Sequence, residues 1–68
     1  MPIIVRLDVA LAQRKMTSKE LASKIGISEQ NLSMLRSGRA RGVRFNTLEA
    51  ICHELGCQPG DLLEFVEQ

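Results

Sequence analysis

The sequence predicts an all-α domain of five short helices, with a short extended segment at each end. Three observations lead there. Apolar residues recur at helical spacing in successive stretches punctuated by capping residues and glycines. The only aromatic residues are Phe45 and Phe65, so leucine, isoleucine, valine, alanine and methionine must fill the core. With 68 residues and 44% apolar composition, the chain suits one domain and is too apolar for disorder. A core this small is marginal, which favours helices packed face to face or a dimer contact.

The elements follow in order. Pro2 to Val5 reads as extended, because Ile3, Ile4 and Val5 are β-branched. From Arg6 the pattern turns helical, with Leu7, Ala10, Leu11 and Arg14 at i, i+3, i+4 and i+7. Thr17-Ser18-Lys19-Glu20 is a capping box that opens a second helix through Leu21, Ala22 and Ile25. Gly26 ends it, since glycine adopts the left-handed conformation at little cost. Ser28 is the next N-cap, and Glu29 suits the positive end of a third helix running to about Ser37. Leu32 and Leu35 point inward on that helix, and Gly38 stops it. A basic connection over 39–45 leads to a fourth helix, capped by Asn46 and ended by Gly56. Leu48, Ile51, Cys52 and Leu55 form its apolar face. Pro59 fits the first position of a short fifth helix, Pro59 to Leu63. Glu64-Phe65-Val66-Glu67 alternates polar and apolar and predicts a terminal strand beside Ile3–Val5, with a frayed tail as the alternative.

Charge is strongly polarised along the chain. Residues 1–44 hold all nine basic residues and three acidic ones, net +6. Residues 45–68 hold five acidic residues and no lysine or arginine, net −5. Such a chain can turn a basic face to phosphate and an acidic face away from it.

The segment 17–38 carries the strongest signal. Two helices crossing steeply through a short turn need a small residue at the crossing, a glycine at the turn and apolar residues facing the core. Ala22, Gly26, and Leu21, Ile25, Ile27, Leu32 and Leu35 meet those needs. Ser28, Glu29, Gln30, Ser33, Met34 and Ser37 are left on the outer face. The run from Thr17 to Ser28, continuing through Gln30, Asn31, Leu32, Ser33, Leu35, Arg36, Ser37 and Gly38, resembles the lambdoid phage repressor and Cro family of helix-turn-helix proteins. Leu48 to Gly56 looks like that family's fourth helix and Pro59 to Leu63 like its fifth. The likeness covers nearly the whole chain. It departs at the strand-like start, and no separate ligand-binding or dimerisation domain is expected.

The resemblance implies a compact five-helix, lambda-repressor-like DNA-binding domain over 1–68. It also implies a transcriptional regulator, such as a repressor, with the helix near 29–37 in the major groove of double-stranded DNA. The family's base-reading positions map to Ser28, Glu29 and Gln30, with Met34 further along and Ser33 as a short-range contact. Gln30 suits an adenine edge, Glu29 a cytosine amino group and Met34 a thymine methyl. Ser18 would donate to a phosphate, and Ser37, Arg39, Arg41 and Arg44 would clamp the backbone. Three or four such contacts give a log–log salt slope of roughly −3 to −4 per monomer. A homodimer on a palindromic site is expected, joined through the fifth helix or a strand edge.

Other functions find little support. Cys52, His53 and Cys57 fall short of the four ligands usual for zinc, and Cys52 shares the apolar face of the fourth helix. No catalytic constellation, cofactor motif or membrane span is present in the sequence. The chain is therefore expected to be cytoplasmic with reduced cysteines, to need no metal or cofactor, and not to be an enzyme. The rival reading is a protein-binding module on the same fold, an adaptor or antitoxin-like subunit that works through its acidic C-terminal half.

Overall fold

A computed structural model describes residues 3–67. The order is β1 (Ile3–Val5), α1 (Leu7–Gln13), α2 (Ser18–Ile25), α3 (Glu29–Arg36), α4 (Phe45–Leu55), α5 (Pro59–Leu62) and β2 (Leu63–Phe65). The five expected helices are present. The strands pair antiparallel, with Ile3 opposite Phe65, Ile4 opposite Glu64 and Val5 opposite Leu63. Arg6 extends the junction, its amide donating to the Leu62 carbonyl at 2.6 Å and its guanidinium pairing with the Glu64 carboxylate. The proposed extension of the first strand to Pro2 lies outside the described residues.

Every helix contributes to one core. Leu7, Ala10 and Leu11 come from α1, Leu21 and Ala22 from α2, Leu32 from α3, Ile51 and Leu55 from α4, and Leu62 from α5. Ile25, Ile27, Leu35, Leu48 and Met16 pack around them, half-buried. The helix α2 lies against both α3 and α4, so Ala22 sits where close approach requires a small side chain.

The capping chemistry fixes the boundaries. The Thr17 hydroxyl accepts from the Glu20 amide at 3.1 Å, and the Glu20 carboxylate accepts in return from the Thr17 amide at 3.3 Å. The Ser28 hydroxyl accepts from the Asn31 amide at 3.1 Å. Gly26 ends α2 at φ 76°, in the left-handed region.

The C-terminal strand runs over Leu63–Phe65 and not over the expected Glu64–Glu67, and three further details differ from expectation. The fourth helix starts at Phe45 with Arg44 as its N-cap, and Asn46 lies inside the first turn, where its Oδ1 accepts from the Thr47 amide at 3.1 Å. Side-chain capping is a preference and not a requirement, and no side chain caps this helix. The fifth helix closes one residue early at Leu62, because Leu63 already has the extended backbone of β2. Arg14 does not continue the apolar stripe of α1. It is exposed and sends its guanidinium to the C-terminal carbonyls of α4, Leu55 at 2.6 Å and Gly56 at 3.4 Å.

Candidate nucleic-acid interface

The helix-turn-helix is built by α2, the turn at Gly26 and α3. Leu32 is fully buried and Leu35 half-buried, which fixes the rotation of α3 about its axis. The opposite side of α3 is therefore solvent-facing: Ser28, Glu29, Gln30, Asn31, Ser33, Met34, Arg36 and Ser37 are all exposed.

These residues divide between two grooves. Glu29, Gln30, Ser33 and Arg36 line one open groove together with Ser18 from the start of α2. Arg36 donates from Nη1 to the Ser18 hydroxyl at 3.2 Å, tying the end of α3 to the beginning of α2. Met34 lies on the other flank, in a groove it shares with Asn31, Ala40, Val43, Arg44 and Thr47. The structure thus brings Ser18, Glu29, Gln30 and Ser33 together and sets Met34 apart from them. The Ser37 hydroxyl turns back and donates to the Met34 carbonyl at 3.1 Å.

The connection after α3 is held to that helix by its backbone. The amides of Arg39 and Ala40 both donate to the Met34 carbonyl, at 3.0 and 3.2 Å. Ala40 and Val43 are half-buried, while Arg39, Arg41 and Arg44 are exposed. The two small apolar residues anchor the loop and leave the three guanidinium groups outside. Among the described residues the ion pair is Arg6–Glu64, on the sheet, and none of the three loop arginines takes part in it. Arg44 also opens α4, whose N-cap makes no side-chain hydrogen bond and whose Thr47 amide is taken by Asn46 Oδ1.

Two polar residues at this surface were not singled out among the site residues in the sequence. Arg36 stands seven residues after Glu29, two helical turns along the same face. Asn31 adjoins Gln30 and is exposed beside Met34. Helical periodicity alone marks both as outward-facing. No metal-sized cluster of histidine, cysteine and carboxylate groups occurs among the described residues, and no helix there is long and apolar enough to cross a membrane.

Comparison with known proteins agrees with this architecture. The profile of the Cro/C1-type helix-turn-helix DNA-binding domain matches residues 6–68. The sequence is 54% identical over 65 residues to the uncharacterised helix-turn-helix transcriptional regulator YozG of Bacillus subtilis strain 168, covering 96% of this chain and 77% of that protein. A crystal structure from Bacteroides fragilis, of a protein described as a candidate DNA-binding protein, superposes with a TM-score of 0.81 at 26% identity. That match covers 91% of this chain and 98% of the other. The transcriptional regulator VanUg superposes with a TM-score of 0.77 at 28% identity, over 98% of this chain and 88% of its own.

Proposed function

The chain belongs to the Cro/C1-type helix-turn-helix DNA-binding domain family, and we propose that it is a sequence-specific transcriptional regulator that lays α3 in the major groove. The observation that carries this reading is the pairing of an exposed polar face on α3 with three exposed arginines in the loop that follows, none of them ion-paired among the described residues. In this reading Gln30 bonds an adenine edge and Glu29 accepts from a cytosine amino group. Ser28 and Ser33 make short contacts to neighbouring bases. Met34, on the flank nearer the loop, packs on a thymine methyl. Ser18 and Ser37 meet phosphates at the two ends of the motif, and Arg39, Arg41 and Arg44 bind the backbone beyond it.

The protein acts as a homodimer on a palindrome with half-sites about one helical turn apart, in the cytoplasm. Support for self-association comes from the two-stranded sheet, which leaves its edges open and Ile3, Ile4, Phe65 and Val66 exposed. The 1–68 chain works as one domain, and no catalytic step enters the reading.

Selection of bound sequences from random duplex DNA, followed by fluorescence anisotropy on the selected site, tests it. A palindromic consensus with salt-sensitive affinity is expected. Absence of salt-sensitive binding to any duplex, at micromolar protein and low salt, would overturn it.

A further inference from the structure

Four helices of this fold close their C-termini in the same way. An amide just past the helix donates back to the carbonyl five residues earlier: Met16 to Leu11, Ile27 to Ala22, Arg39 to Met34 and Cys57 to Cys52, all between 3.0 and 3.1 Å. The residue before each donor has positive φ: Lys15, Gly26, Gly38 and Gly56. This closure folds the chain back over the last turn and sets the two bonded residues' side chains against each other. At α1 and α2 those side chains are apolar and pack on the core. At α4 both places are taken by thiols.

The backbone bond between Cys57 and Cys52 limits their Cα–Cα distance to about 7 Å by covalent geometry, which reaches the range in which disulfides form. The helix closure sets the two side chains on the same side of the end of α4. Both thiols are free and half-buried, and they open onto a groove lined by Phe45, His53, Gln58 and Pro59. A small reagent can therefore reach two cysteines that the backbone closure places side by side.

We infer that Cys52 and Cys57 form a dithiol modification site, oxidised by a low-molecular-weight disulfide to an intramolecular bond that clasps the end of α4 to the approach of α5. One protein thiolate attacks the small disulfide, forms a mixed disulfide and expels one small thiol. The second protein thiolate then attacks the protein sulfur of the mixed disulfide and expels the other. Two protein thiols lose two electrons and two protons, which leave as two small thiols. Burial raises the pKa of the Cys57 thiol, the Cys52 and Asp61 side chains add to that, and Arg14 opposes it. The Cys57 thiolate is thus scarce near neutrality, and its part in closure speeds up as pH rises.

The test uses the full reduced chain, with glutathione disulfide as the probe, alkylation as the quench and intact mass as the readout. The expected product is a monomer that has lost two hydrogens and takes no alkyl label. Closure of the folded chain is expected to exceed that of the same chain in urea by about tenfold or more, because the fold presents the pair ready-placed. Cys52→Ser and Cys57→Ser each halt at a mixed disulfide. The closed form melts higher by something on the order of 10 °C, reversibly with reductant. Accumulation of glutathione adducts or linked dimers in place of the closed monomer overturns the inference. So does equal closure in urea, and both outcomes are read on the unmutated chain.

Discussion

The arginine loop makes a quantitative claim about salt. Arg39, Arg41 and Arg44 are exposed and take no part in the Arg6–Glu64 ion pair, so in the proposed complex their charges can meet phosphate. Each such contact contributes about 0.9 to the log–log slope of affinity against salt, so the three together supply roughly 2.7 per protomer. A fourfold rise in salt then weakens binding by about 40-fold through these residues alone. Replacing all three by glutamine keeps polarity and similar length. Because the side chains lie outside the core, the far-ultraviolet circular dichroism of the triple variant is expected to match the parent. Fluorescence anisotropy with a short labelled duplex, at several salt concentrations, measures both slopes. The variant is expected to bind far more weakly at low salt, with its slope shallower by about 2.7 per protomer. A slope that stays within about 0.5 of the parent's, with the fold intact, refutes the placement of this loop on the DNA backbone.

Four further substitutions probe the scaffold. Leu32→Ala removes a fully buried side chain from the centre of the motif, and urea unfolding is expected to show a loss of about 2–5 kcal/mol. Lys15 and Gly26 occupy equivalent left-handed positions, at φ 52° and 76°, so exchange should act with opposite signs. Lys15→Gly should gain about 0.5–1 kcal/mol, while Gly26→Ala, which has open space for its Cβ, should lose about 1–2 kcal/mol through backbone strain alone. Arg14→Met keeps the aliphatic stem but removes two donors to the carbonyls ending α4. A fall of about 4–8 °C in Tm is expected, from a loss of about 1 kcal/mol.

What the sequence makes legible follows the range of the interaction. The Thr17–Glu20 box, the Ser28 cap and the left-handed Gly26 and Gly56 involve neighbours a few residues apart, and each is where local pattern places it. Helical spacing likewise picks out Leu7, Leu11, Leu21, Leu32, Ile51 and Leu55, since burial on one face is what that spacing encodes. The strand pair was visible only as β-branching at one end and alternation at the other, because its partners lie some sixty residues apart. The contact of Arg14 with Leu55 and Gly56 leaves no local trace. In isolation, an arginine at the end of an amphipathic helix reads as one more position on the stripe. Asn46 shows the converse failure: a residue type that favours capping stands two places inside a helix that needs no side-chain cap to begin.

The DNA-facing surface is less legible for a related reason. The core tests each inward residue against the rest of the chain, so Leu32 and Leu35 orient α3 and thereby decide which residues face out. Nothing inside the protein then tests what those outward residues are. Glu29, Gln30 and Ser33 share their groove with Ser18 because α2 and α3 cross there. Met34 parts from them because residues 40–43 fold back against its flank, a path that the periodicity of α3 does not encode. Two of the polar groups also have partners within the protein. The Ser37 hydroxyl is bound to a carbonyl of its own helix, and Ser18 accepts from Arg36. A phosphate at either place must therefore replace an internal bond or add to it. At Ser18 the hydroxyl hydrogen is still available while its oxygen accepts from Arg36. A phosphate there can take that hydrogen without breaking the link between α2 and α3. At Ser37 the hydrogen is already engaged, so the same contact requires the hydroxyl to turn away from Met34. In the proposed complex, phosphate contacts at the two ends of the motif thus involve different exchanges, although both residues are serines.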